Sequence, residues 1–542
     1  MFHLRFRFLA FGILLGLPNL LFAQSALGVT ESIALIDSIY KRLAVSYVEK
    51  PSIKRLFRSG IDASLNTLDP YTNYLNEDEA KEFNLSLTSR YGGVGLTFRK
   101  INDSVLVNEV FRGKPADLGG IKPGDIILRI NNSDLKGIQL DDVLNLVRGE
   151  PGSRVTFKVF RPTRKQILDL QATREIIQLP SVPYFGTLPG NLGYIKLTSE
   201  TEQTFAEVKN ALIELKKKNI KGLILDLRGN IGGLMKQAIS VANLFIEKGK
   251  LAVSIKSWYS DTTRYFMEEP LDTKIPFVVL VNDQTASSGE ILAGALQDHD
   301  RAILIGQRTF GKGMVQNLYN LQDSGLLKVT TGYYFTPAGR CIQRKEKGGE
   351  RTIHWTDTLK KTVYTSRGRP LVSFDGITPD LIIARMPEPP VIWDLLDWNS
   401  THLFRFANQY FLSHPVISSA GSFRISDKEY DEFISFLKME KFQLTSQSEK
   451  KLDELQKTLE AENYPAGLLA EISKLREQLI QDNEKQYIQY KNQIRSLLEG
   501  EIASQYFYNS GRIENSLKDD QELQKATEVL SNWEKYKKLL NW

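Results

Sequence analysis

A single cysteine, Cys341, stands in 542 residues, so an intrachain disulfide and a cysteine-based metal cluster are both excluded. Such poverty in thiols suits an oxidising compartment. Histidine is scarce as well. The five are His3, His299, His354, His402 and His414, with no H-E-x-x-H or paired spacing to suggest a metallopeptidase. Charge of one sign is lacking. Seventy Lys and Arg against 64 Asp and Glu leave +6, about one charge per ninety residues, which does not imply a nucleic-acid partner. Beyond the N-terminus no run approaches the ~18 apolar residues of a membrane span. Internal repeats and low-complexity tracts are absent too. What is there, 42% hydrophobic and 25% charged residues, belongs to a globular chain rather than a disordered or collagen-like one. The length suggests about three or four domains.

The chain opens with a basic pair, Arg5 and Arg7, then an apolar stretch from Phe8 to Phe22 broken by Gly12, Gly16, Pro18 and Asn19. With Leu21-Phe22-Ala23 ahead of Gln24, residues 1–23 read as a signal peptide, cleaved rather than retained as an anchor, so the mature protein is expected in the periplasm or cell envelope. Residues 24–88 read as helical, with Asp69-Pro70-Tyr71 as a turn. At the other end, 386–542 hold four glycines and carry 19 Lys and Arg against 25 Asp and Glu, a net −6. Their amphipathic runs Ser448–Glu462 and Leu468–Ser496 predict helices, set off by the Met386-Pro387-Glu388-Pro389-Pro390 linker.

Between about 89 and 175 the texture is short β-type runs, Val105–Phe111, Ile126–Asn131 and Val155–Phe160, around one helix near Gln139–Arg148. Tyr91-Gly92-Gly93-Val94-Gly95-Leu96 and Gly120-Ile121-Lys122-Pro123-Gly124-Asp125-Ile126-Ile127 stand out. A glycine-rich turn entering a strand frees backbone N–H groups for a peptide carboxylate, and the strand edge then pairs with that peptide. This segment resembles a PDZ domain. Its apolar pocket is expected from Val94, Leu96, Val143, Leu144 and Val147, with Arg148 a candidate to couple tail binding to a second site.

From 176 to 385 strand and helix alternate, predicting an α/β core. Three strand ends carry polar or glycine-rich loops: Arg228-Gly229-Asn230-Ile231-Gly232-Gly233, Asn282 to Glu290, and Gln307 to Gln316. Singly, each has a plain reading. Ser287 with Glu290 three residues on is a helix capping box, Lys312 between two glycines is a turn lysine, and Gly232-Gly233 is a tight turn. Together they supply an acyl-transfer site: a serine at a helix N-terminus, a lysine that desolvation can turn into a base, and glycine N–H groups for an oxyanion.

These loops, Asp226-Leu227-Arg228-Gly229-Asn230-Ile231-Gly232-Gly233, Thr285-Ala286-Ser287-Ser288-Gly289-Glu290 and Thr309-Phe310-Gly311-Lys312-Gly313-Met314-Val315-Gln316, resemble the signatures of the carboxy-terminal processing (tail-specific) proteases. So do Leu68-Asp69-Pro70-Tyr71, Tyr334–Arg340 and Asp375–Asp380. The resemblance runs from about residue 30 to 385. It implies a multi-domain α+β protein with a crotonase-like protease core and an inserted PDZ domain that selects substrates by their C-terminal tails. By motif, Ser287 takes the nucleophile's position, Lys312 the general base's and Gln316 that of the group orienting the lysine. The N–H groups of Ser288 and of Gly232 or Gly233 form the oxyanion hole, and Tyr91, Gly92, Gly93, Val94, Gly95 and Leu96 hold the peptide. Ser288-Gly289 depart from the family's more frequent Ala-Ser, and Ile231 from its proline.

No metal or cofactor is implied. The expected partners are protein or peptide substrates with free C-termini, an adaptor, and a second copy in a dimer. A non-catalytic PDZ scaffold is the alternative from another class. A Ser-His-Asp site through His299 is disfavoured because that residue lies about 18 Å along the same helix from Ser287, at ~1.5 Å per residue, which leaves His354 as the histidine such a site would use. Cys341 reads as core. The acidic extension, with the stripe Leu468, Leu469, Ile472, Leu475, Leu479 and Ile480, is expected to bury that stripe on the body of the protein or on a dimer mate.

Overall fold

The computed structural model describes residues 28–542 other than 102, 163, 258–259, 323–324, 345–361, 386–387, 398–399, 443 and 445–446. The expected signal segment 1–23, His354 and the first two linker residues therefore lie outside the described residues. Two units divide the chain: residues up to Ala80 with Gln316–Thr331, and Lys81–Val315 with Gly332–Trp542.

In the first unit a helix over 28–46 is followed by α1 (Ile53–Asn66). The expected turn at Asp69 is an Asx-type turn. Its carboxylate accepts from the N–H of Tyr71 (2.7 Å) and Thr72 (2.8 Å) and from the Thr72 hydroxyl (2.7 Å). The turn launches a short strand the sequence reading did not anticipate, β1 (Asn73–Leu75), antiparallel to Leu326–Lys328.

The second unit begins with the segment that resembles a PDZ domain. Strands β2 (Leu96–Ile101), β3 (Ser104–Val110), β4 (Ile126–Ile130), β5 (Arg154–Arg161) and β6 (Gln166–Thr173) form one sheet in that order, so β2 is an edge strand. Along β5 buried and exposed residues alternate, Val155, Phe157 and Val159 pointing inward, as a half-buried strand requires. Helix α2 (Leu140–Val147) lies beside β2. A ribbon pairing Arg90–Gly93 with Glu175–Gln178 closes the domain's entrance and exit.

The α/β core is a six-stranded sheet. Strand β7 (Tyr184–Leu188) runs antiparallel to β8 (Leu192–Lys196), and the sheet continues in parallel through β9 (Gly222–Asp226), β10 (Phe277–Val281), β11 (Ile303–Gly306) and β12 (Leu381–Ile382). β9 and β10 are buried throughout, the mark of a parallel strand covered on both faces. One cover is α3 (Thr204–Lys217), α4 (Met235–Asn243) and α5 (Ser288–Asp298), packed on Leu225, Leu227, Val279 and Val281.

The other cover comes from the C-terminal extension. Its helices include α6 (Gln447–Ala461), α7 (Ala466–Gln489), α8 (Lys491–Ser516), α9 (Gln521–Ser531) and α10 (Trp533–Leu539). Leu523, Ala526, Val529 and Tyr536 pack on Ile224, Val278, Leu280 and Ile303, and the Tyr536 hydroxyl accepts the Phe277 N–H at 2.8 Å. Burial of each leucine, isoleucine or valine among them stabilises the fold by about 1.5–3 kcal/mol. Charge joins in: Arg228 pairs with Asp520 (2.6 Å) and Glu522 (3.3 Å). The extension also has a core of its own around Phe406, Phe433, Leu498 and Ile502.

Two expectations about the extension need correcting. The single run Leu468–Ser496 is interrupted at Tyr490 between α7 and α8. The stripe on α7 is mostly not buried: Ile472 is, but Leu468, Leu475 and Ile480 are 44–50% exposed, the hairpin partner α6 being the element packed most extensively on α7 among the described residues. Periodicity revealed a helix face without revealing what covers it. Among the described residues no helix is long and apolar enough to cross a membrane.

Candidate active site

The loops after β9, β10 and β11 leave the same end of neighbouring parallel strands, where open α/β sheets place their chemistry. Side chains stitch them together. Thr285 donates its hydroxyl to the Leu227 carbonyl (2.8 Å), the Ala286 N–H donates to the Asn230 carbonyl (2.8 Å), and the Phe310 N–H donates to the Thr285 carbonyl (2.9 Å).

Ser287 sits at the turn from β10 into α5 with φ 54° and ψ −120°. That positive φ is strained for a residue with a Cβ, on the order of 1–3 kcal/mol, and turns the serine out of the strand line. The Glu290 half of the expected capping box is present, the Ser287 N–H donating to Glu290 Oε2 at 2.9 Å. Glu290 does much more than cap. The same oxygen accepts the Lys312 N–H at 2.9 Å, while Oε1 accepts the Gly311 N–H at 2.8 Å and the Thr309 hydroxyl. Burial pushes the Glu290 carboxyl up to about 7, with these four hydrogen bonds pulling the other way. On the opposite side, the Tyr334 hydroxyl lies 2.9 Å from the Ser287 carbonyl and 2.8 Å from the Lys312 carbonyl. The main chains of Ser287 and Lys312 are thus pinned to each other twice. Gln316 belongs to the first unit, where its amide donates to Thr330 Oγ1 at 3.3 Å.

The two adjacent serines differ. Ser287 is half-buried, whereas Ser288 is fully buried and gives its hydroxyl to Glu200 Oε2 at 2.8 Å. Ser288 is the first residue of α5, so its N–H has no acceptor within the helix. The two glycines differ as well. Gly232 is buried and its N–H already donates to Asn230 Oδ1 at 2.8 Å. Gly233 is exposed, and the backbone bridge it forms with Glu200 uses the groups on either side of it. Of the candidate oxyanion donors, Ser288 and Gly233 have no acceptor for their N–H among the described residues, whereas Gly232 has Asn230.

Asn230, Glu200 and Tyr334 escaped the sequence reading as site residues. Asn230 and Tyr334 lay inside quoted motifs, where a buried amide or hydroxyl is the signal. For Glu200 nothing local pointed inward. His299 caps the far end of α5 and bonds the Leu251 carbonyl at 2.7 Å, away from Ser287. Cys341 is buried in the core, its thiol pushed up to about 11 by that burial. Among the described residues no cluster of His, Cys, Asp and Glu could hold a metal ion.

In the PDZ domain the Gly92 carbonyl accepts the Gly149 N–H at 3.1 Å, and a Cβ on Gly92 would come within 2.1 Å of the Gly149 oxygen. Arg148, at the end of α2, pairs with Glu82 and lies 5.6 Å over the Tyr91 ring. The pocket expectation needs correction. Val94, Leu96, Val143 and Val147 are all buried in the domain's own core, leaving Leu144 as the partly exposed member.

The models of peptidase family S41, of the PDZ domain, and of the family described as "Probable PDZ-protease, C-terminal helical domain" match residues 191–354, 83–160 and 395–530. Together with the fold, these matches define a serine peptidase carrying a PDZ domain. A carboxy-terminal-processing protease of Bartonella bacilliformis is 34% identical over 346 residues, 62% of this chain and 79% of that protein. A "Probable CtpA-like serine protease" of Staphylococcus aureus is 36% identical over 315 residues, covering 57% of this chain and 62% of the relative. A solved photosystem II D1 C-terminal processing protease shares 28% identity over 65% of this chain and 92% of its own, with a TM-score of 0.35. The chain belongs to the family of carboxy-terminal-processing proteases.

Proposed function

We propose that the protein is an exported endopeptidase of the periplasm or cell envelope that seizes the free C-terminal tails of proteins in its PDZ domain and cleaves them with a Ser287–Lys312 dyad. The observation that carries the dyad is the double pinning of these two residues, through Glu290 Oε2 on their N–H groups and the Tyr334 hydroxyl on their carbonyls. In this reading Lys312, as the neutral amine, takes the Ser287 hydroxyl proton while the oxygen attacks the scissile carbonyl. The Ser288 and Gly233 N–H groups receive the oxyanion. The lysine ammonium then protonates the leaving amine, and a water deprotonated by Lys312 hydrolyses the acyl-enzyme. By motif Gln316 takes the position of the group that orients the lysine.

Tail capture falls to the turn of Tyr91, Gly92, Gly93, Val94, Gly95 and Leu96 and to the open edge of β2, where an incoming peptide adds a strand. Export follows from the reading of residues 1–23; delivery by an adaptor and a dimeric state belong to the same proposal. A fluorophosphonate labelling assay and hydrolysis of a peptide with a free C-terminus test it. Wild type is labelled and turns over. Ser287→Ala loses label and activity, on the order of 10⁴-fold or more, and Lys312→Ala and Lys312→Arg are equally inactive, since guanidinium does not deprotonate. Substantial turnover by Ser287→Ala overturns the assignment, and an unlabelled, inactive wild type favours the scaffold.

A further inference from the structure

We propose that Glu200 is the positioning residue of the oxyanion hole, holding both of its N–H donors at once. The proposal rests on the dyad reading above. Glu200 follows β8 and is fully buried. Its side chain reaches one donor: Oε2 accepts the Ser288 hydroxyl at 2.8 Å, fixing the residue whose N–H starts α5. Its other oxygen reaches toward the second donor, since Oε1 accepts Asn230 Nδ2 at 2.8 Å and Asn230 Oδ1 in turn accepts the Gly232 N–H at 2.8 Å.

The main chain of Glu200 completes the hold. Its N–H donates to the Gly232 carbonyl at 3.3 Å and its carbonyl accepts the Leu234 N–H at 2.7 Å. Gly233 is bracketed between them with its own N–H left over. The fit is close enough to exclude a side chain, because a Cβ on Gly233 would stand 2.2 Å from the Glu200 oxygen.

A buried carboxyl with no cationic partner among the described residues is expensive to keep. Burial raises that of Glu200 to about 7, with the bonds from Ser288 and Asn230 opposing. A neutral apolar residue would fill the same volume at less expense, yet it could not orient two loops that arrive from different strands. Ser288 is the position at which this chain departs from the family's more frequent alanine, so the hydroxyl-to-Glu200 arm is a feature of this sequence.

The test uses the full chain, a peptide substrate with a free C-terminus, the corresponding peptide boronic acid as a tetrahedral mimic, and fluorophosphonate to count active sites. For Glu200→Ala, kcat per labelled site falls about 10- to 100-fold while KM stays within about twofold, and boronic acid affinity falls by the same factor as kcat. Glu200→Gln, which keeps an acceptor, restores kcat to within about fivefold of wild type. Ser288→Ala keeps its backbone N–H and loses one hydroxyl; it folds and is expected to lose about 3- to 10-fold in kcat and in boronic acid affinity together. The double variant is no worse than Glu200→Ala alone, because the bond Ser288→Ala removes is already lost with the Glu200 carboxyl. A role in folding alone would lower the number of labelled sites without changing kcat per site or preference for the mimic, and would overturn the proposal. So would a Ser288→Ala enzyme identical to wild type in kcat and boronic acid affinity, whether or not Glu200→Ala folds. Failure of wild type to take the label brings down the dyad reading and this one with it, whereas a labelled wild type with an indifferent Glu200 removes only this one.

Discussion

The loops that would break the peptide bond and the loop that would catch the tail are built on opposite plans. Around Ser287 and Lys312, buried side chains add to the backbone ties between loops: Glu290 accepts three main-chain N–H groups and the Thr309 hydroxyl, Tyr334 and Thr285 bond backbone atoms of neighbouring loops, and Asn230 holds the Gly232 N–H of its own loop. At Gly92–Leu96 the ties are backbone to backbone, Gly149 N–H to Gly92, Ala116 N–H to Val94 and Phe111 N–H to Gly95, and the edge of β2 is left open. Chemistry requires reacting atoms held to within a fraction of an ångström, whereas tail capture requires an unpaired edge that accepts many sequences.

That contrast can be broken most sharply at Glu290. Glu290→Ala removes the acceptor shared by Ser287 and Lys312, so kcat is expected to fall about 100-fold with little change in KM. Tyr334→Phe removes the second, weaker tie and should cost about 2- to 10-fold. Steady-state kinetics on a single peptide checks both; a loss expressed in KM alone would mean that the clamp serves binding. Amidating the substrate's C-terminus should do the reverse, raising KM roughly tenfold or more while kcat is retained, since a charge-assisted contact is worth about 1.5–3 kcal/mol. Equal cleavage of amide and free acid would remove carboxylate capture.

The smallest effect is on stability. Glu200 and Glu290 both titrate near 7 in the folded protein, above their unfolded range, because of burial. The folded state therefore holds these protons more tightly. Their stabilising contribution is fully present below about 4.5 and is lost as pH rises through about 7. Melting temperatures followed from pH 5 to 8 should show this decline, and Glu200→Gln or Glu290→Gln should flatten it; parallel curves for variant and wild type would contradict it.

Much of this was legible in the chain. Hydrophobic runs ending in glycine-rich loops fixed the parallel strands, and β10 begins and ends at the residues the pattern indicated, Phe277 and Val281. Ser287 and Lys312 stood out as the candidate nucleophile and base because those two roles call for particular residue types at a spacing. Glu200, Asn230 and Tyr334 were not legible as a group, since their meaning comes from hydrogen bonds formed only when the loops after β8, β9 and β10 are brought side by side. The α7 stripe shows the opposite failure: a clear pattern whose partner no local signal could name.

The backbone at Ser287 has a last consequence. A residue at φ 54° and ψ −120° occupies a conformation that glycine enters freely and other residues resist. In the dyad reading the nucleophile's side chain sits where the backbone favours none, so activity and robustness pull apart at one position. Two inactive variants should separate accordingly. Ser287→Ala loses the hydroxyl and keeps the resistance, whereas Ser287→Gly loses both and should melt higher than the wild-type enzyme, by an amount on the order of 1 kcal/mol. A glycine variant that melts with or below the alanine one would show that the turn is relaxed after all.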